Sequence, residues 1–194
     1  MFELNFDRRK AIVEAAEKSF AHFGYKATTM DQVAKLANVG KGTIYTFFKN
    51  KEELFDEIIS SLLHEMKVEA DRVFDESAPF FENAHRALYK ILEYRKKHHL
   101  TIKIFQESHD LGTPAVQAVV HKIEQMIIEY IKGKIETAIE KGEITPCDPE
   151  ITAFIILKLY FSLVFDWEKH HKPLSKEEIA NLFERYLLKG LSAN

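Results

Sequence analysis

Residues 28–51 read TTMDQVAKLANVGKGTIYTFFKNK, and this stretch decides how the N-terminal part of the chain folds. Thr29 and Gln32 fit a capping box, in which a hydroxyl and a glutamine side chain satisfy backbone amides that the first helical turn leaves unpaired. A helix is therefore predicted to begin at Met30. Small apolar residues on one face of this helix would let a second helix approach closely.

The same stretch also encodes a stop and a second helix. Asn38 and Gly40 predict a turn, because Asn and Gly enter left-handed backbone conformations at low cost. The second helix is predicted over residues 41–48, with Ile44 and Phe48 on its buried face. Two short helices joined by a turn of about three to four residues are typical of a helix-turn-helix that contacts DNA.

The outward face of the second helix has the chemistry that a DNA groove requires. An ammonium can bind guanine edges or phosphates, a threonine methyl can contact thymine, and a phenol can bind a phosphate oxygen. Residues 1–51 hold nine Lys and Arg against five Asp and Glu, a net charge of +4, whereas residues 52–194 carry −7. The basic charge lies with the motif, as phosphate binding requires. The alternative is a small helical hairpin with a solvated outer face.

The run V-x-x-x-x-I-Y-x-x-F at residues 39–48, followed by KNKEEL, closely resembles the DNA-binding segment of the TetR (tetracycline repressor) family of bacterial transcriptional regulators. The resemblance extends upstream to a first helix over residues 9–23, which Gly24 ends. It implies an all-α fold with a three-helix DNA-binding head at residues 1–51. A helical ligand-binding and dimerisation body would occupy residues 52–194.

The resemblance also assigns roles to individual residues of the head. Phosphate contacts fall to Thr29, Tyr45 and Lys51, base-edge contacts to Lys41, Gly42 and Thr43, and positions near the DNA backbone or groove wall to Thr46 and Phe47. Two of these assignments have structural alternatives. Tyr45 would then cover the core of the hairpin, and Phe47 would be a packing residue.

The rest of the chain predicts helices and no strands. A helix over residues 51–74 would join the head to the body without a flexible linker. Two capping residues that are each followed by proline, and a second capping box formed by Ser175 and Glu178, predict the starts of three later helices. Helices are expected over residues 80–98, 100–109, 114–141 and 149–169, and from Ser175 onwards. The total is about nine.

Two of these helices predict self-association. The helix over residues 149–169 is apolar on nearly every side, and the last helix has a broad apolar stripe. Both are either internal core helices or, as the resemblance implies, parts of a four-helix bundle in a homodimer. The interface candidates are Phe154, Phe165, Ile179, Leu182, Phe183 and Tyr186. A two-fold dimer predicts an approximately palindromic operator in double-stranded DNA.

The body is also where a small effector is expected to bind, because residues 74–194 hold 14 of the 23 aromatic residues. Aromatic residues at helical spacing form a core more often than a ligand cage, although pockets between bundle helices are largely apolar with a few polar groups. The pocket candidates are Arg86, Phe105, His109, Tyr130, Lys158, Tyr160 and Phe161. Lys158 either lines the pocket or reaches water or a carboxylate. By resemblance, the effector would be lipophilic, such as a fatty acid or an acyl-CoA.

Other classes of protein find little support in the sequence. Cys147 is the single cysteine, no signal peptide is recognisable, and the most apolar stretch is too short to cross a bilayer, so a cytoplasmic protein without a membrane partner is expected. The motifs H-E-x-x-H and G-x-S-x-G are absent from the sequence, and neither a metal, a cofactor nor an enzymatic activity is expected. The competing class is a helical protein-interaction adaptor without a specific DNA site.

Overall fold

The computed structural model describes the backbone of residues 2–97 and 99–191 and the side chains of residues 7–93 and 100–191. Within these ranges the regular structure is all helical, which confirms the predicted fold class. The helices are α1 (Phe2–Phe23), α2 (Met30–Leu36), α3 (Lys41–Phe47), α4 (Lys51–Val73), α5 (Phe80–Lys97), α6 (His99–Leu111), α7 (Pro114–Glu140), α8 (Pro149–Phe161) and α9 (Lys176–Phe183).

The last two helices continue in other windings. After α8 the chain forms a π-helical turn, Ser162–Asp166, and a 3₁₀ turn, Trp167–Lys169. After α9 it forms a second π-helical turn, Glu184–Leu188, and a last α-helical turn, Lys189–Leu191. With each continuation assigned to the helix that it extends, the described residues form nine helices, as predicted.

Helix boundaries follow the local capping signals closely. The capping boxes at Thr29 and Ser175 are both formed, and the Asp148 side chain accepts a hydrogen bond from the Ile151 amide at the start of α8. The prediction was wrong for α1, which begins at Phe2, well before residue 9. The predicted end of α5 at His98 lies outside the described residues.

The chain forms two compact units. Unit 1 comprises Met1–Lys67 and Tyr94–His121, and unit 2 comprises Val68–Glu93 and Lys122–Asn194. In unit 1, α6 and the first part of α7 therefore join α1, α2, α3 and most of α4. The domain boundary between residues 51 and 52 stays a prediction.

The core of unit 1 is built around three aromatic rings. The ring centroids of Phe20 and Phe55 lie 5.2 Å apart, and those of Tyr25 and Phe55 lie 4.6 Å apart. Ile12, Phe20 and Phe55 are all buried, and α1 contacts both α2 and α6. These contacts hold the helical hairpin α2–α3 against α1.

The core of unit 2 consists of two apolar clusters. One contains Phe80, Ile128, Ile135 and Leu157, with contributions from α5, α7 and α8. The other contains Leu92, Val164, Ile179 and Phe183, and it joins α5 to the two C-terminal helices. Across the described residues, no helix is both long enough and apolar enough to span a bilayer.

The turn between α2 and α3 confirms one part of the prediction and corrects another. Asn38 adopts a left-handed conformation with φ of 54°, and its amide donates to the Lys35 carbonyl oxygen at 3.1 Å. Gly40, by contrast, has φ of −66° and is the N-cap residue of α3. The reversal of the chain therefore depends on one left-handed residue.

We expect Asn38→Ala to lower the free energy of unfolding by about 1 kcal/mol, because Ala keeps the Cβ atom that crowds the following carbonyl oxygen in a left-handed conformation but loses the short polar side chain that makes this conformation accessible to Asn. Asn38→Gly is the matched control, since it removes the same exposed side chain without that steric cost, and its effect should stay within a few tenths of a kcal/mol. Urea unfolding monitored by circular dichroism measures both values. Equal losses in the two variants would contradict the conformational explanation.

Candidate DNA-binding surface

The hairpin α2–α3 is anchored by its apolar face. Met30 and Val33 of α2 are buried, as are Ile44 of α3 and Phe48, the residue that ends α3. At the start of α2, Thr29 Oγ1 accepts a hydrogen bond from the Gln32 amide at 3.3 Å, and Gln32 Oε1 accepts one from the Thr29 amide at 2.9 Å. This reciprocal cap fixes where α2 begins and therefore how the hairpin leaves the preceding turn.

Burial of Ile44 turns the opposite side of α3 toward solvent. We call the residues exposed there the α3 face: Lys41, Gly42, Tyr45 and Thr46. The predicted contact residues Thr43 and Phe47 are half-buried at its edges. A Cβ atom added at Gly42 would meet no atom within 4 Å, so the backbone is open to close approach at this position. The structure thus brings together six of the eight predicted DNA-contacting residues along one short helix.

Lys41, the cation of the α3 face, already has a carboxylate partner. Its Nζ atom lies 2.8 Å from Asp31 Oδ2, across the two helices of the hairpin. The hydrogen bond from Lys41 to Asp31 and the opposite charge raise the pKa of Lys41. DNA that approaches this face would contact Lys41 either with the Lys41–Asp31 ion pair intact or after that ion pair has broken. Sequence analysis missed Asp31, because its only local signal is an acidic residue in the first turn of α2.

Lys51, predicted to contact phosphate, is engaged within unit 1. Its Nζ atom donates to the carbonyl oxygens of Tyr25 and Thr28 at 2.8 and 2.9 Å, and it lies 4.2 Å from the centroid of the Tyr25 ring. Partial burial lowers the pKa of Lys51. The structure therefore places this ammonium at the turn between α1 and α2. Its role in phosphate binding stays a prediction.

The start of α4 carries further caps close to that turn. Asn50 Oδ1 accepts a hydrogen bond from the Glu53 amide at 2.8 Å, so Asn50 acts as the N-cap residue of α4. The Tyr25 hydroxyl donates to Glu52 Oε1 at 2.7 Å, and burial together with this carboxylate raises the pKa of Tyr25. The hydroxyl in turn holds the pKa of Glu52 below its ordinary value. These contacts join the α1–α2 turn to α4.

The predicted effector-pocket residues are divided between the units. Phe105 and His109 belong to unit 1, and the other five belong to unit 2. In unit 2, Lys158 Nζ lies 2.6 Å from Glu124 Oε1, so of the alternatives left open by the sequence the structure shows the carboxylate partner. The Lys158 ammonium also lies 5.7 Å from the centroid of the Phe161 ring.

The remaining pocket candidates of unit 2 have polar or aromatic partners of their own. Arg86 pairs with Glu82, and the Tyr130 hydroxyl donates to Asp71 Oδ1 at 2.8 Å. The Tyr160 and Phe161 ring centroids lie 5.9 Å apart. Whether these side chains line an effector pocket stays a prediction.

The predicted dimer residues differ in exposure. Ile179 and Phe183 are buried in the core of unit 2, whereas Leu182 and Phe165 are half-buried. Phe154 is 47% exposed and Tyr186 is 70% exposed. Apolar side chains that remain uncovered in the single chain therefore occur on α8 and on the continuation of α9.

Comparison with known proteins decides the family. Residues 12–58 match the family model described as bacterial regulatory proteins, tetR family, and residues 81–191 match the one described as tetracyclin repressor-like, C-terminal domain. The chain belongs to the TetR family. It is accordingly a bacterial DNA-binding regulator of transcription, and the hairpin with the α3 face lies inside the first matched region.

Individual proteins match along nearly the whole chain. The Bacillus subtilis (strain 168) protein named uncharacterized HTH-type transcriptional regulator YhgD is 66% identical over 191 residues, which cover 98% of this chain and 100% of that protein. A solved structure from Clostridium perfringens, named as a fatty acid metabolism regulator, has a TM-score of 0.74 and 25% identity, with coverage of 95% and 100%. The structure of AibR in complex with isovaleryl coenzyme A and operator DNA has a TM-score of 0.65 and 24% identity, with coverage of 90% and 94%, and it shares the fold.

We expect Asp31→Asn to raise the affinity for sheared duplex DNA a few-fold, because it removes a carboxylate from the α3 face and frees Lys41 for phosphate. The slope of log affinity against log salt should become steeper by roughly 0.9, the value for one added phosphate contact. Fluorescence anisotropy across a salt series measures both quantities.

Asp110→Asn is the charge-matched control, because Asp110 is an exposed carboxylate on α6 of the same unit. Its salt slope should equal that of the unmodified protein. If both variants steepened the slope equally, the gain would come from net charge and not from the Asp31–Lys41 pair.

Proposed function

We propose that this protein is a transcriptional repressor that binds a palindromic operator as a homodimer and is released from it by a small lipophilic effector. The observation that carries the proposal is the α3 face, where burial of Ile44 leaves Lys41, Gly42, Tyr45 and Thr46 open to a groove. A short helix with hydroxyl, phenol and ammonium groups on one side matches the donors and methyl groups that read base edges and phosphates.

The homodimer is supported by the apolar surface of unit 2. Phe154 and Tyr186 are large, exposed side chains. The first lies on the helix that is apolar on nearly every side and the second on the helix with the broad apolar stripe, and a second copy of the chain would cover them. A two-fold dimer places its reading helices about one helical turn of DNA apart, roughly 34–36 Å, and so binds a site with two inverted halves. Occupation of such a site within a promoter would exclude polymerase, which is the basis for proposing repression. An operator on the chromosome also implies a cytoplasmic protein.

The effector is proposed to be a fatty acid or an acyl-CoA. Two structural relatives support this class, one by its name as a regulator of fatty acid metabolism and the other by its bound isovaleryl coenzyme A. In unit 2, Lys158 is the cation that would bind an acidic headgroup, in exchange for Glu124, beside the aromatic side chains Tyr160 and Phe161. Lys158 lies on the apolar helix α8 and pairs with a carboxylate of α7, so a carboxylate or phosphate of the effector would replace Glu124 with a charge-assisted hydrogen bond of the same kind.

Release is proposed to be a shift between two populations. One state holds the two reading helices of the dimer at the spacing of successive major grooves, and the other does not. The helix α4 contributes residues to both units, and its displacement on effector binding would change that spacing. An effector shifts this equilibrium only as far as it binds the second state more tightly than the first.

Selection of duplexes from a random pool tests whether the protein binds a specific operator. The variant Gly42→Ala tests whether the α3 face is the surface that binds it. The selected sites should be inverted repeats. Gly42→Ala should preserve or slightly raise stability, because Ala is the better helix residue and no atom lies near the added Cβ, yet it should weaken operator binding roughly tenfold by blocking close approach.

Gly133→Ala is the matched control, since Gly133 is a helical glycine of α7 with equally open space. It should change stability alone. If no duplex were enriched in the selection, the protein would behave as a helical adaptor and the proposal would fail. If Gly42→Ala kept full operator affinity, the α3 face would not be the reading surface.

The effector part is tested with oleic acid and with isovaleryl coenzyme A as probes. The ligand concentration that halves operator occupancy should rise roughly tenfold in Lys158→Met, because a charged hydrogen bond to the headgroup is lost. Glu124→Gln should lower that concentration by freeing Lys158. Lys176→Met is the control, since Lys176 is another cation of unit 2 paired with a carboxylate, Glu93, at 3.0 Å. Unchanged release in all three variants would exclude Lys158 from effector binding.

A further inference from the structure

Glu107 of α6 is a buried carboxylate with an unusual set of partners. Its side chain belongs to a residue that is only 5% exposed. Its Oε2 atom accepts a hydrogen bond from the Tyr25 amide at 2.6 Å, and its Oε1 atom accepts one from the Lys26 amide at 2.8 Å. The Thr113 hydroxyl donates to Oε1 at 3.1 Å. A buried carboxylate is tolerated only when it is hydrogen-bonded, and here two consecutive backbone amides of the α1–α2 turn meet this need.

The α1–α2 turn is shaped to receive this carboxylate. Gly24 has φ of +85°, and a Cβ atom added there would lie 2.5 Å from Glu107 Oε2. Only a residue without a side chain lets the carboxylate come close enough to reach both amides. The Gly24 carbonyl oxygen in turn accepts a hydrogen bond from the Thr28 hydroxyl at 2.8 Å, which closes the turn internally.

The other side of the same turn is held by α4. Lys51 Nζ donates to the Tyr25 and Thr28 carbonyl oxygens, so the amide donors of the turn are bound by a carboxylate and its carbonyl acceptors by an ammonium. Glu107 is 82 residues from Tyr25 in sequence, whereas Lys51 is 26 residues away. The contact with Glu107 is therefore the one that brings a distant helix to the turn.

The turn leads directly into the DNA-reading hairpin. Thr28 is followed by Thr29, the N-cap residue of α2, and α2 packs against α3. A change in the position of the Tyr25 and Lys26 amides would therefore alter how α2 begins and how the α3 face is presented. Glu107 itself lies on α6, outside the α3 face.

We infer that Glu107 is a positioning residue for DNA reading: its carboxylate fixes the α1–α2 turn to α6 and thereby sets the orientation of the α3 face. The inference rests on the proposed function. A displacement of α6 away from the turn would remove both amide contacts at once, and operator affinity would fall without any change on the α3 face.

Glu107→Gln tests the inference with nearly unchanged shape. One carboxylate oxygen becomes an amide nitrogen that faces a backbone N–H, so one hydrogen bond is lost and two donors meet. Amide hydrogen exchange by NMR should show lost protection at Tyr25 or Lys26. The Val33 amide, which donates to the Thr29 carbonyl oxygen within the hairpin, should keep its protection.

The readout specific to positioning is the ratio of operator affinity to affinity for random duplex. Glu107→Gln should weaken binding to the selected operator roughly tenfold, while binding to random duplex should hardly change, because nonspecific binding depends on charge and not on the orientation of the α3 face. Asp110→Asn makes the same charge change on α6 and should leave the ratio unaltered. A protein that was merely destabilised would lose both affinities in proportion.

Gly24→Ala approaches the same contact from the turn and retains the carboxylate. Gly112→Ala is its control, because Gly112 is also left-handed, with φ of +58°, but its added Cβ would meet only the flexible Gln117 side chain at 3.5 Å. Both variants should lose stability, and only Gly24→Ala should lower the affinity ratio. If Glu107→Gln fails to fold, the comparison of Gly24→Ala with Gly112→Ala still measures how the contact between the turn and Glu107 affects the affinity ratio.

The outcomes separate the inference from the proposed function. Lost amide protection together with an unchanged affinity ratio would overturn the positioning role while the repressor proposal stands. Failure of the unmodified protein to enrich any duplex would overturn the proposed function and, with it, the assignment of Glu107 to DNA reading. The exchange data would then identify a purely structural contact.

Discussion

The position of the hairpin α2–α3 depends on how the α1–α2 turn is held from two sides. Glu107 binds its amides and Lys51 binds its carbonyl oxygens, so polar backbone groups that face the interior of unit 1 are paired. A buried, unpaired amide or carbonyl costs a large fraction of the stability of a small domain. Both charged side chains are thus fixed by hydrogen bonds, and they fix the point from which α2 starts.

With the hairpin held in this way, the outer side of α3 is available for contact with other molecules. Ile44 and Phe48 supply the packing, while the α3 face contributes nothing to the core. Asp31 offsets the charge of Lys41, so the α3 face attracts phosphate less strongly than an unpaired lysine would. A weaker nonspecific term favours discrimination between an operator and other DNA.

Unit 2 differs from unit 1 in the winding of its C-terminal helices. Its helices α8 and α9 each continue into a π-helical turn, and a π-helical turn shifts the angular position of the residues that follow it. A helical-wheel reading that assumes one uniform winding places residues on the wrong side beyond such a turn. Along α9 and its continuation, Phe183 at the end of α9 is buried, whereas Tyr186 within the π-helical turn is exposed.

The all-α class, the starts of most helices and the left-handed Asn38 are predictable from the sequence, because caps, turns and apolar periodicity act between residues a few positions apart. The resemblance to the TetR family came from the motif at residues 39–48 and the residues that follow it. Only the tertiary structure decided that α6 belongs to unit 1, that Lys51 serves the turn, that Lys41 is paired with Asp31, and that Glu107 binds the Tyr25 and Lys26 amides. Those contacts join residues as far as 82 positions apart. A buried carboxylate has no sequence signature that separates it from an exposed one, since its partners are backbone amides that every residue except proline possesses.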